Sequence, residues 1–114
     1  MNIIILGAAG GIGSSLVKKL DSLDARLFLG YHKKEVDSDH PSYQVDGSDF
    51  DSTDSFVKSG IEKLESIDGV VCLAGNLILK PAHLSSNRDF SDSIDANLKT
   101  AFSVVKAVGN NLEN

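Results

Sequence analysis

The chain has 114 residues, 41% of them hydrophobic and 24% charged, which is the size and balance of one ordinary globular domain spanning residues 1–114. A formal net charge of −5, with no stretch that gathers Lys and Arg into a stripe, argues against a nucleic-acid partner. No apolar run approaches the ~18 residues of a membrane span, and Met1 leads straight into apolar sequence rather than a basic leader, so a cytoplasmic protein with no membrane partner is expected.

"NIIIL" (2–6) is a continuous β-branched apolar run closed by glycine, the pattern of a strand buried on both faces. Residues 12–22 then place Ile12, Leu16, Val17 and Leu20 at helical spacing, with Lys18, Lys19 and Asp21 on the other side. "ARLFL" (25–29) reads as a second strand, followed by the polar loop "GYHKKEVDSDH", and "SYQV" (42–45) as a weaker third strand at an edge. From Ser52 to about Ser66, Phe56, Val57, Gly60, Ile61 and Leu64 form one helical stripe, in which Gly60 lets the helix lie close to the sheet. "GVVCLAG" (69–75) is a fourth strand. Its Cys72, the only cysteine, has no internal disulfide partner and is expected to be a buried, inert thiol. A long helix is predicted over 87–108, started by Ser86 and Asp89 and marked by Phe90, Ile94, Leu98, Ala101, Phe102, Val105 and Val108. The order is β-α-β-β-α-β-α, or β-α-β-α-β-α with a poorly ordered second crossover. Apolar strands alternating with amphipathic helices imply a doubly wound α/β fold with a parallel sheet.

The stretch "GAAGGIGSS" (7–15) sits between the first strand and the first helix. A glycine-rich turn there suits a pyrophosphate. One glycine permits the turn, one lets amides approach phosphate oxygens, one lets helix and strand pack, and the helix N-terminus offers unsatisfied donors. Gly7, Gly11 and Gly13 hold these positions as G-x-x-x-G-x-G. The ATP-type loop is excluded because Ser14 and Ser15 follow Gly13 without a lysine, and the G-x-S-x-G elbow is not matched. A plain tight turn is the other meaning of such a cluster.

Beyond the glycines, "LGAAGGIG" resembles the cofactor loop of the short-chain dehydrogenase/reductase family, T-G-x-x-x-G-I-G, through Gly7, Gly11, Ile12 and Gly13. Three further stretches resemble that family in order and spacing, so that the likeness spans about residues 3–108. "QVDGSD" resembles the segment whose aspartate, here Asp46, contacts adenine. "CLAG" resembles N-N-A-G, so that Ala74 and Gly75 would line the cofactor ribose. "DANLKTAFSVVKA" resembles the helix whose asparagine, here Asn97, supports a proton relay. The resemblance implies a Rossmann-like sheet in strand order 3-2-1-4 and a dinucleotide cofactor. At the end of the second strand, where an NAD site carries an acid, the chain reads "LGYHKK", with Gly30 taken as the acid's position. His32, Lys33 and Lys34 could meet a 2′-phosphate, which favours NADP over NAD; an exposed polar loop is the alternative.

The family's catalytic Ser and Tyr-x-x-x-Lys are not found. Tyr31 and Tyr43 are the only tyrosines, followed four residues later by Glu35 and Gly47. Cys72 and Leu73 replace the two asparagines of N-N-A-G. The expected protein is thus the NAD(P)-binding half of an oxidoreductase, truncated before the fifth strand and not catalytically competent alone. The alternatives are a non-catalytic dinucleotide-binding module and an interaction protein. Its uncovered fourth strand, "VVCLA", or its 87–108 helix is expected to form a homodimer. Asp46, Asp49, Asp51 and Asp54 lack calcium-loop spacing, and His40 and His83 lack metal-ligand spacing, so no metal is expected.

Overall fold

The computed structural model describes residues 1–112. Its elements are β1 (Asn2–Leu6), α1 (Gly11–Asp21), β2 (Arg26–Tyr31), β3 (Ser42–Gln44), α2 (Phe50–Leu64), β4 (Gly69–Cys72), a 3₁₀ turn (Ala82–Leu84), α3 (Asn87–Ile94), a π-helical turn (Asp95–Lys99) and α4 (Thr100–Asn111). The four strands form one sheet in the order β3-β2-β1-β4, and every pair is parallel. This is the Rossmann-like order expected from the sequence.

Alternation along β1 divides the core in two, because successive side chains of a strand point to opposite faces. Ile4 and Leu6 join Phe28, Val45, Phe56, Val57 and Val104 under α2 and α4. Ile3 and Ile5 join Leu27, Leu29, Val17 and Leu20 under α1. Gly60 brings α2 against the sheet as expected, since a Cβ there would stand 2.7 Å from Ile4 Cδ1. Between β2 and β3 the chain crosses without a helix, in agreement with the first of the two predicted orders.

Several predicted boundaries move. β2 runs on to Tyr31, whereas β3 ends at Gln44 and β4 at Cys72, so Val45 and the Leu73–Gly75 stretch are irregular chain. The 87–108 helix is not continuous: the π turn interrupts it, with the Thr100 hydroxyl donating to the Asp95 carbonyl at 3.0 Å. Its apolar stripe is not the core face. Phe90, Leu98, Phe102 and Val105 are all more than half exposed, while Thr100, Ser103, Val104 and Ala107 are buried. Small residues on that buried side let α4 pack closely against the segment before α2, where Thr100 fills the space beside Gly47. The predicted start of α3 is present as a reciprocal cap: Ser86 Oγ accepts from the Asp89 amide, and Asp89 Oδ2 accepts from the Ser86 amide. No helix among the described residues is long and apolar enough to cross a membrane.

Candidate functional site

The glycine loop links the end of β1 to the start of α1. Gly7 has φ +87°, and a Cβ there would lie 2.6 Å from the Ala74 amide nitrogen, so a side chain is excluded by both conformation and space. A Cβ on Gly13 would lie 2.2 Å from the Gly7 carbonyl oxygen, which fixes glycine at the contact between α1 and the loop. Gly11 is different, since nothing lies within 4 Å of a Cβ there. Ile12 is 74% exposed.

Not all amides of the loop face outward. Those of Gly7 and Ala8 both donate to the Gly30 carbonyl, at 3.0 and 3.1 Å, and brace the loop on β2. The amides of Ala9, Gly11, Ile12 and Gly13 have no protein acceptor among the described residues. The N-cap of α1 is Gly10, which offers no side-chain acceptor, and no acid lies in the helix's first turn. A helix start with free donors and no carboxylate is suited to an anion.

This loop borders a cleft of about 790 Å³ over the C-terminal ends of the parallel strands. The cleft brings together Gly7, His32, Lys33, Asp46, Ala74 and Gly75 from four separate stretches of sequence. Gly11, Ile12 and Gly13 are not part of its lining; the loop contributes Gly7, Ala9 and Gly10 instead. Lys34, Asn76, Asp92, Asp95 and Thr100 also line it. Asp95 carries no residue-type signal that separates it from an ordinary helix acid, and only its place in the π turn brings it to the cleft.

Two positions need correction or refinement. Gly30 does not stand where an acid would reach the cleft: a Cβ on it would meet the Phe56 ring at 2.7 Å, on the core side of the sheet. The cleft-lining residue at that strand end is Tyr31, one position later and therefore on the opposite face. Asn97 lies beside the cleft rather than in its lining. Its Nδ2 donates to the carbonyls of Asn76 (2.9 Å) and Ser93 (2.8 Å), and its Oδ1 accepts from the Asn76 amide at 3.1 Å. The side chain thereby ties the chain after β4 to the π turn. Gly75 makes room for it, since a Cβ there would lie 2.8 Å from Asn97 Oδ1.

Asp46 is held ionised by hydrogen bonding. Its Oδ1 accepts from the Ser48 hydroxyl at 2.7 Å and the Ser48 amide at 3.0 Å. The hydroxyl bond is the chief cause that puts its carboxyl below the ordinary aspartate range, with His32 and Lys99 adding smaller attraction. Cys72 is half-buried at the edge of the core rather than buried as expected, and that partial burial pushes its thiol up. Asp49 is the N-cap of α2, accepting from the Ser52 amide at 2.9 Å, so this acid serves the helix start. His40 is paired with Asp21, and no cluster of metal-ligating side chains occurs among the described residues.

A parallel sheet in the order 3-2-1-4, wrapped by helices and opening on a cleft behind a glycine turn, defines a Rossmann-like α/β protein. The profile of the family described as short chain dehydrogenase matches residues 1–114, and the chain belongs to that family. Among solved structures it is similar to a short-chain dehydrogenase/reductase of Serratia marcescens carrying F98L/F202L, with 20% identity and a TM-score of 0.84 over 97% of this chain and 51% of that one. It is likewise similar to the aldohexose dehydrogenase of Thermoplasma acidophilum, with 17% identity and a TM-score of 0.87 over 96% of this chain and 44% of that one. A dehydrogenase/reductase of Sinorhizobium meliloti 1021 aligns at 18% identity with a TM-score of 0.86, over 99% and 50% of the two chains. The chain thus spans about half the length of these structures. No curated protein sequence matches it at a significant level.

Proposed function

We propose that this chain is the NADP-binding half of a short-chain dehydrogenase/reductase-type oxidoreductase. The observation that carries the proposal is the uncapped start of α1, whose free amides at Ala9, Gly11, Ile12 and Gly13 stand beside a cleft large enough for a ligand of dinucleotide class. In this assignment the loop of Gly7, Gly11, Ile12 and Gly13 holds the diphosphate. Asp46 keeps Oδ2 for the adenine amino group, and Ala74 and Gly75 border the ribose. His32 and Lys33, with Lys34 beside them, supply positive charge for a 2′-phosphate, and no carboxylate at the end of β2 opposes it. NAD is the second cofactor compatible with the same loop. When bound, the nicotinamide supplies or accepts a hydride.

Asn97 acts as a positioning residue: it holds the Asn76 backbone at the cleft, in the place the family uses for its proton relay. The residues described here include no Ser with Tyr-x-x-x-Lys, so the isolated 114-residue polypeptide is proposed to bind cofactor without turning over substrate. It is proposed to be cytoplasmic and to form a homodimer through the β4 edge or the exposed α3–α4 face, where Phe90, Phe102 and Val105 are uncovered. Titration of the chain with NADPH and NADH, followed by calorimetry, tests the assignment. Saturable binding with NADPH the tighter ligand is expected, and no heat at millimolar concentrations of either would overturn it. Sedimentation at micromolar concentration tests the dimer, and a sole monomer species would remove that part.

A further inference from the structure

We infer that the Tyr31 ring is the plate on which the adenine of the cofactor stacks, an inference that rests on the dinucleotide assignment above. Tyr31 ends β2 and is held from its backbone: its carbonyl accepts from the Val45 amide at 2.7 Å, and it pairs in register with Gln44. The preceding Gly30 faces the Phe56 ring on the core side, so Tyr31 is directed to the other face and into the cleft lining. The two tyrosines of the chain have different surroundings. Tyr43 lies in a ring cluster with Phe28 and Phe56, at centroid distances of 6.3 and 6.1 Å. Tyr31 belongs to no ring pair among the described residues and is only half-buried.

The lining that Tyr31 shares includes Gly7, Ala9, Gly10 and Gly47, which carry little or no side chain and leave room for a flat base. Asp46 belongs to the same lining, with one carboxylate oxygen committed to Ser48 and the other available to an exocyclic amine. Stacking on an aromatic face strengthens the hold on any base, because every base presents a π-face. The chain contains no tryptophan, so tyrosine is its emitting residue, which gives the stack its own optical signal.

The test uses ADP, which carries the adenine and diphosphate without nicotinamide, beside NADPH. Tyr31→Leu is expected to weaken both ligands roughly tenfold, equivalent to about 1.4 kcal/mol, while Tyr31→Phe stays within about twofold of the parent. In Tyr43→Phe, where Tyr31 is the remaining emitter, saturating ADP is expected to quench the tyrosine emission. Parent-like affinity in a folded Tyr31→Leu, or unchanged emission in ADP-saturated Tyr43→Phe, would overturn the stacking plate and leave the cofactor assignment intact. An equal loss in Tyr31→Phe and Tyr31→Leu would place the contact at the hydroxyl and also overturn it. Failure of the parent chain to bind either ligand would overturn the cofactor assignment and this inference together.

Discussion

Gly11 and Gly13 belong to the same motif, and alanine at each should have opposite consequences for stability. Neither has positive φ, so backbone conformation does not separate them; space does. A Cβ on Gly13 would meet the Gly7 carbonyl oxygen at 2.2 Å and the Ala8 Cα and carbonyl carbon at 2.8 and 2.9 Å. These are backbone atoms of a turn already braced on Gly30, and no rotamer change can relieve them. Overpacking of that kind costs about 3 kcal/mol at the upper end of its usual range. The gain of about 1 kcal/mol from replacing a helical glycine by alanine leaves a net loss near 2 kcal/mol. Gly11→Ala meets nothing within 4 Å and keeps the gain alone, about 0.4–1 kcal/mol. With ~4 °C per kcal/mol for a chain of this size, Gly13→Ala should lower Tm by roughly 8 °C and Gly11→Ala should raise it by about 2–4 °C. Urea denaturation followed by circular dichroism gives the same comparison through the midpoint at constant slope. A Gly13→Ala protein as stable as Gly11→Ala would refute the packing role assigned to Gly13. Gly11→Ala should still weaken NADPH binding, because its methyl group would stand beside the free amides.

Gly60→Ala places a methyl 2.7 Å from Ile4 Cδ1 and 2.9 Å from Phe28 Cδ2, at the ends of side chains that can partly yield. A net loss of about 1 kcal/mol is expected after the helix-propensity gain, read from the thermal midpoint; a stabilised variant would show that α2 is not in tight contact there. Asn97→Ala removes three hydrogen bonds between the π turn, Asn76 and Ser93, at a cost of about 1–3 kcal/mol. Amide exchange at Asn76 should accelerate while exchange in β1 keeps its protection relative to global unfolding; unchanged exchange at Asn76 would contradict the clamp. The lowered pKa of Asp46 means that the folded state binds its proton less readily than the unfolded chain does. Its stabilisation is therefore complete above the ordinary aspartate range and lost as pH falls through the lower native value. Ser48→Ala should reduce the acid-side slope of stability and bring the Asp46 carboxyl, followed by NMR titration, back toward the ordinary value; an unmoved titration would exclude Ser48 as the cause.

Strands β1 and β2 are legible because they are buried from both sides and so carry unbroken hydrophobic runs. The edge strand β4 carries the same apolar run although its four residues are only half-buried. The loop is legible because Gly7 answers to its own positive φ and Gly13 to contacts with Gly7 and Ala8, although the approach of Leu73 and Ala74 to Gly7 comes from far along the chain. The face presented by Gly30 is not, since it depends on Phe56, a residue of α2 far along the chain. Sequence alone therefore does not separate Tyr31 from its neighbours. The π turn was hidden for a similar reason: Asn97 bonds Asn76 across 21 positions, and helical periodicity carries no trace of that pairing. Periodicity in 87–108 marks the helix and its uncovered apolar residues but not the side that packs. The large apolar residues lie on the uncovered side, and the buried side is built from Thr100, Ser103 and Ala107, which a hydrophobic count ignores.

The central claim is that the first turn of α1 receives a diphosphate. Backbone amide NMR during addition of NADPH tests it most directly. Saturable shifts of the Ala9, Gly11, Ile12 and Gly13 resonances are predicted, larger than those of Gly7 and Ala8, whose amides are already bound to Gly30. Four unmoved resonances at millimolar NADPH would contradict it.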